Sequence, residues 1–179
     1  SGSGKTTLVH KIQDEFGANS ISIHTMDNYY KLRTEQVIDH KGYKNFDLPG
    51  SFENELFVSH LNQLLANQEV KIPLYNFNCD HSDNIITIRP APVIIIEGLF
   101  IYHIETIKSL LNYKVMVRLS YEEAFRRRLK RDQEERNYHI DEITHRYNHH
   151  AEPAYLEFIK PYMEEMDLVV DESKGYESC

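Results

Sequence analysis

Apolar residues near the start of the chain recur at helical spacing: Leu8, Val9, Ile12 and Phe16 share one face, and Gly17 follows as a stop signal. This pattern predicts a helix from about Lys5 to Phe16. Ser20 to His24 alternates instead, with Ile21 and Ile23 apolar, and reads as a short strand. Met26 to Pro49 is polar, tyrosine-rich and without a clear period, so it is expected to be mainly loop. So long a loop in a compact domain is uncommon unless it serves function. Leu56, Leu61, Leu64 and Leu65 predict a second helix over Phe52 to Ala66, and Lys71–Tyr75 with Ile85–Ile88 predict a hairpin around a polar turn. Val93-Ile94-Ile95-Ile96 is an unbroken β-branched run, the mark of a parallel strand buried on both faces. A helix near Ile104–Leu111 and a strand near Lys114–Leu119 follow. The chain is then helical and highly charged from Glu122, enters a helix containing Pro153, and ends in a strand at Leu168-Val169-Val170. Strands alternating with helices indicate an α/β fold, three layers around a mostly parallel sheet.

Length and charge narrow the classes. At 179 residues the chain suits one domain, with room for a small lid. Its 20 basic and 28 acidic residues leave a net charge of −8, which argues against a nucleic-acid or anionic-membrane partner. Cys79 and Cys179 are the only cysteines, so no disulfide framework is expected and a reducing, cytoplasmic setting is the default. No apolar run is long enough to span a bilayer. His149-His150 and the other histidines show no metal-ligand spacing with the cysteines, so no structural zinc is expected.

Chemistry enters with Ser1-Gly2-Ser3-Gly4-Lys5-Thr6-Thr7. Gly-Lys-Thr opening an amphipathic helix is the back half of a P-loop. Gly2 and Gly4 let the backbone approach phosphates closely, and the amides of Ser3, Gly4 and Thr7 converge with the helix dipole on an anion. Lys5 would reach the β- and γ-phosphates and the Thr6 hydroxyl would bind Mg²⁺. Ser-Gly-Ser-Gly alone also suits a flexible linker, but Lys-Thr-Thr-Leu follows at the spacing the cradle requires. The preceding glycine of the full motif and the strand that feeds it lie outside the chain given.

Phosphoryl transfer further asks for a base, a metal-holding acid and cations for developing charge. Asp27 follows the first strand, where open α/β sheets place ligands, and can accept a proton from a hydroxyl. On position alone an acid there equally suits a cap or turn. Glu97 ends the β-branched strand, at the Walker-B position. Arg126, Arg127, Arg128, Lys130, Arg131 and Arg136 form the one dense basic cluster. They read either as a solvated helix face paired with nearby glutamates or as a lid carrying arginines to phosphates.

Taken together, SGSGKTT, MDNYYK, NFDLPGSF, PLYNF, VIIIEGLF, RRLKRDQEER and EPAYLEFIKPYMEEMDLVV resemble the uridine kinase (uridine–cytidine kinase) family, in order over nearly the whole chain. The resemblance implies a single P-loop NTPase-type kinase domain over 1–179, with an acceptor-side β-hairpin and a helical arginine lid at about 122–150. It implies ATP–Mg²⁺-dependent phosphorylation of the 5′-hydroxyl of a pyrimidine ribonucleoside, in a cytoplasmic homo-oligomer (dimer or tetramer). Asp27 matches the family's general base, Tyr30 its nucleoside pocket, and Asp47 beside Phe46 its ribose-binding segment. Glu97 would share Mg²⁺ with Thr6. Arg128 would touch the sugar side, while Arg131 and Arg136 would meet the donor and transferred phosphates.

One departure concerns the base. Where the family reads Y-D-F-x-x-H-x-R, this chain has Tyr75-Asn76-Phe77-Asn78-Cys79-Asp80-His81-Ser82-Asp83, with His81 one place late and no arginine. A bulge would still aim His81 at a base; equally, the pocket would take another acceptor. The alternatives are a phosphoribulokinase-like or pantothenate kinase-like enzyme, a nucleotide-binding ATPase or switch, and a relative that binds without catalysis. A closing C-terminal helix, expected from the family, is also absent from the sequence given.

Overall fold

A computed structural model of the chain describes residues 2–78 and 84–172. The opening helix α1 spans Lys5–Phe16, as its apolar spacing requires, and Gly17 closes it through an N–H···O bond to Gln13. Strand β1 (Ile21–Thr25) follows. The tyrosine-rich stretch is mainly irregular, with two short 3-10 turns and a minimal hairpin of β2 (Val37–Ile38) and β3 (Lys44–Asn45). Helix α2 spans Asn54–Leu65. It starts two residues later than its apolar pattern suggests because Phe52 bridges to Tyr30 and is buried as an anchor.

Strands β4 (Val70–Pro73) and β5 (Ile85–Ile88) form the expected antiparallel hairpin. Strand β6 (Val93–Glu97) is followed by α3 (Glu105–Lys108), shorter than expected because the chain tightens through Leu110 N–H to Ile107 C=O. Then come β7 (Val115–Arg118), α4 (Tyr121–Glu134), α5 (Ile140–Arg146), a π-helical turn (Tyr147–Ala151), α6 (Glu152–Phe158) and β8 (Leu168–Asp171).

The α/β class with parallel strands is present, but the single sheet is not. Among the described residues β1 pairs with β6 and β7 with β8, both in parallel, as two separate pairs. A cavity of about 620 Å³ separates them, lined by Val9 and Ile12 of α1, Ile94 and Ile95 of β6, and Val115 and Val117 of β7. The β-branched run is therefore not buried on both faces: Val93 is 51% exposed and Ile94–Ile96 are half-buried. An apolar run without ladder partners on one side borders open space whatever its composition.

The core lies on the other side of β1, where Met26, Tyr29, Phe52, Phe57, Leu61, Leu64, Ile72 and Phe100 are essentially excluded from solvent. Burying each such side chain contributes about 1.5–3 kcal/mol. No helix among the described residues is long and apolar enough to cross a membrane.

Candidate active site

The first turn of α1 has an uncapped N-terminus. Its N-cap is Gly4, at φ 87, with no side-chain cap and no acidic residue in the turn. The dipole of a twelve-residue helix therefore meets no capping side chain and no first-turn acid of the helix's own. Gly2, at φ 79, lies so close to α4 that a Cβ would stand 3.1 Å from the Ala124 carbonyl oxygen. Thr6 and Thr7 are exposed, while Ser3 and Lys5 line a 320 Å³ cavity with Gly98, Arg118, Tyr121 and Tyr147.

From this turn a chain of hydroxyls and carboxylates runs across the strand ends. The Thr6 hydroxyl donates to Glu97 Oε1 at 3.2 Å, and the Thr25 hydroxyl donates to the same oxygen at 2.7 Å. Parallel register puts Thr25 opposite Glu97, so the ladder itself creates the second contact. Thr25 Oγ1 in turn accepts from the Asp27 N–H at 3.3 Å, capping the turn that holds Asp27 half-buried. Gly98 allows this geometry: a Cβ there would sit 2.5 Å from Met26 Cβ. A hydroxyl and a buried carboxylate within 3.2 Å are the oxygen donors Mg²⁺ takes, usually with several waters retained. The Thr6–Glu97 pair therefore fits the ion.

The aromatic residues singled out in the sequence meet around Tyr30. Its ring lies 5.8 Å from Phe46, 5.2 Å from Tyr75, 5.2 Å from Phe77 and 4.1 Å from Phe52. Burial, reinforced by the nearby Asp27 and Asp47 carboxylates, pushes the Tyr30 phenol well above its ordinary pKa, with Arg136 and Arg128 opposing. Tyr30 thus stays a neutral donor, and four of the predicted charged residues surround it. The Tyr75 N–H donates to the Asn28 side chain at 3.2 Å, tying the hairpin arm to the Asp27 turn. His81 lies outside the described residues.

The arginines behave differently from one another. Arg128 is buried and grips Asp47 with both guanidinium ends, at 3.1 and 2.9 Å. Burial alone would raise the Asp47 carboxyl, but the charge and hydrogen bonds of Arg128 outweigh it and hold the pKa down. Burial likewise opposes the charge on Arg128, and Asp47 outweighs it. Arg136 lies over the Phe77 ring at 3.7 Å, where a cation favours the π-face. Arg131, 30% exposed, meets Asp132 at 2.8 Å. Arg126 and Arg127 both pair with Glu123, so this half of the cluster is the solvated face.

Residue-type reasoning missed the residue that ties these arginines together. Asp132, 1% exposed, accepts from Arg131 and lies 3.4 and 3.5 Å from Arg128 and Arg136. The signal was present: an acid at i+4 from Arg128 and i−4 from Arg136 shares their helical face. Thr25 was also missed, being legible only through strand register. Arg33 was a third, donating to the Phe77 carbonyl at 2.6 Å and to the Tyr138 hydroxyl at 3.3 Å. Sequence spacing, judged against the cysteines, gave no sign of a grouping that the fold creates among the histidines. His145 and His150 both reach Asp39, giving ligand atoms within 4.8 Å of one another. The third partner comes from far along the chain and is not a cysteine.

A profile of the Phosphoribulokinase / Uridine kinase family matches residues 1–175. The chain is 35% identical to a uridine kinase of Bacillus mycoides over 173 residues, covering 96% of this chain and 82% of that protein. It is equally similar to a uridine kinase of Borrelia duttonii, with the same coverage. Among solved structures, a protein described as a possible uridine kinase from Bacillus stearothermophilus superposes with a TM-score of 0.66. That match has 23% identity and covers 96% of this chain and 84% of the other.

Proposed function

The chain belongs to the phosphoribulokinase/uridine kinase family and is a phosphotransferase of uridine kinase type, and from that premise we propose that it phosphorylates the 5′-hydroxyl of a pyrimidine ribonucleoside with ATP. The observation that carries the reading is the continuous link Thr6–Glu97–Thr25–Asp27. It joins the helix turn suited to phosphates to an acid on the acceptor side through single hydrogen bonds. A switch ATPase has no need of an acid held beside an aromatic acceptor cluster.

In this reading the backbone of Gly2–Thr7 and the Lys5 ammonium hold the donor phosphates. Thr6 and Glu97 would hold Mg²⁺, which when bound neutralises charge on the β- and γ-phosphates. Asp27 takes the proton of the attacking hydroxyl. Tyr30, Phe46, Tyr75 and Phe77 line the nucleoside pocket, and Asp47, oriented by Arg128, meets the ribose hydroxyls. Arg131 and Arg136 meet the transferred phosphate when the lid closes and excludes water.

The test is ATP consumption with separate acceptors: uridine, cytidine, adenosine, guanosine, ribulose 5-phosphate and pantothenate. Turnover confined to uridine and cytidine supports the reading. Turnover with another alcohol relocates the enzyme within its family. ATP hydrolysis indifferent to every acceptor rejects the kinase assignment.

A further inference from the structure

We propose that Asp39, His145 and His150 form a binding site for a divalent transition metal of the zinc class, separate from the Thr6–Glu97 pair. Asp39 Oδ2 lies 2.7 Å from His145 Nε2 and 2.8 Å from His150 Nε2. Three potential ligand atoms from two distant segments therefore already converge on one point.

Each ligand is oriented from behind. Asp39 Oδ1 accepts from the Lys41 N–H at 2.8 Å and the Tyr43 N–H at 2.9 Å, which leaves Oδ2 directed at the imidazoles. The turn that provides these amides closes through Asp39 N–H to Tyr43 C=O, with Gly42 at φ 85. Carboxylates fixed in this way by outer hydrogen bonds are the usual support of metal ligands. The histidines are five residues apart, which on a regular α-helix would turn them roughly 140° from each other. The π-helical turn Tyr147–Ala151 widens the helix there and brings both onto the face of Asp39.

The donor set decides the metal class. Two imidazole nitrogens and one carboxylate oxygen suit Zn²⁺, Co²⁺ or Fe²⁺ rather than Mg²⁺ or Ca²⁺, and three protein ligands leave a position for water. Ligands at 2.0–2.2 Å from a tetrahedral ion stand roughly 3.3 Å apart, so the two Asp39–imidazole contacts open by about half an ångström, and the two imidazole nitrogens, within 4.8 Å of each other, adjust to the same spacing. Binding replaces the imidazole Nε2 protons, and each ring then carries its proton on Nδ1. The histidine side chains are 5% and 3% exposed and the Asp39 side chain 14%, so entry is from the turn. The ion would pin the β2–β3 turn to the end of α5, bracketing the strand that leads into Phe46 and Asp47.

The experiment is a Co²⁺ titration of the full chain in excess Mg²⁺, read by visible absorption and calorimetry, with Zn²⁺ as competitor. Wild type should show d–d bands of a nitrogen-ligated ion, saturate at one Co²⁺, and melt at higher temperature with Zn²⁺. His150→Gln and His145→Ala should each weaken binding by at least roughly 100-fold, since even outer-shell losses cost 10–100-fold. Thr6→Ala and the exposed neighbour His149→Ala should leave it unchanged. Absence of the bands in wild type overturns the proposal irrespective of how any variant folds. So does binding that survives both histidine substitutions with native circular dichroism, or that is lost in Thr6→Ala.

Discussion

Helices α1 and α4 carry the same dipole and treat their N-termini in opposite ways. At α4, Ser120 accepts from the Glu123 N–H at 3.2 Å and Glu122 and Glu123 occupy the first turn, so the positive end is neutralised by the chain itself. At α1 a glycine caps, no acid follows, and the threonines are exposed. A helix end left without these stabilising groups forgoes about 1 kcal/mol for a side-chain cap. The two sides of the site repeat this contrast. The cradle end has no side-chain cap and no acid in its first turn, whereas the aromatic end has already paired its charges in Asp47–Arg128 and the Asp132 cluster. Changes at the cradle end should thus cost function and leave stability alone; buried changes at the aromatic end should cost stability first.

Asp27→Asn is the sharpest break, because Asp27 is half-buried and forms no part of the buried ion-pair cluster. Turnover should fall by ~10²–10⁴-fold, the usual contribution of a general base, with nucleotide affinity retained in calorimetry. Near-normal turnover would remove Asp27 from the chemistry. Asp132→Asn should cost about 3–5 kcal/mol in denaturant unfolding, because three guanidinium groups lose a buried counter-charge. A loss under 1 kcal/mol would mean that water, not Asp132, holds these arginines.

A pH series separates core from surface. His24 is fully buried, stacked on Phe57 at 4.3 Å, and burial drives its pKa down to about 4, partly offset by the Phe57 carbonyl. The folded state therefore keeps His24 neutral while the unfolded chain binds a proton below pH 6.5. Stability is full above that value and declines as pH falls from 6.5 toward 4, by up to about 3 kcal/mol. His24→Phe should flatten this part of the curve; an unchanged slope would assign it to other groups.

Lys5→Met should weaken ATP binding by roughly 10–100-fold, the loss of one charge-assisted hydrogen bond, with unfolding free energy within about 0.5 kcal/mol of wild type. A large stability loss would contradict the uncapped character of the cradle end. Gly98→Ala should destabilise by about 1–3 kcal/mol through the clash with Met26, the one change at this end of the site that reads out in stability. Its tolerance would show that β6 shifts freely against the Asp27 turn.

The uncapped end was also the legible end. A phosphate cradle is a local object: glycines, a lysine and a helix start within a few residues, so spacing alone singles out Gly2–Thr7 as the candidate. The helices α1 and α2 and the strands β1 and β7 were equally plain, since apolar period is a property of contiguous chain. Glu97 could be placed at a strand end, but its contact with Thr25 depends on which residue the parallel ladder sets opposite it. The β-branched run of β6 predicted burial on two faces, and the cavity beside it decided otherwise.

Composition, apolar period and the motif spacings determined the α/β class, the nucleotide cradle and the pool of acids, arginines and aromatics. They act over a turn of helix or a few strand residues, where covalent geometry fixes relative position. Only the tertiary structure decided which members of that pool meet: Arg128 with Asp47, Tyr30 with Phe77, Asp39 with two histidines more than a hundred residues on. Charge pairing and ring packing depend on distance in space, which the packing of helices against strands sets.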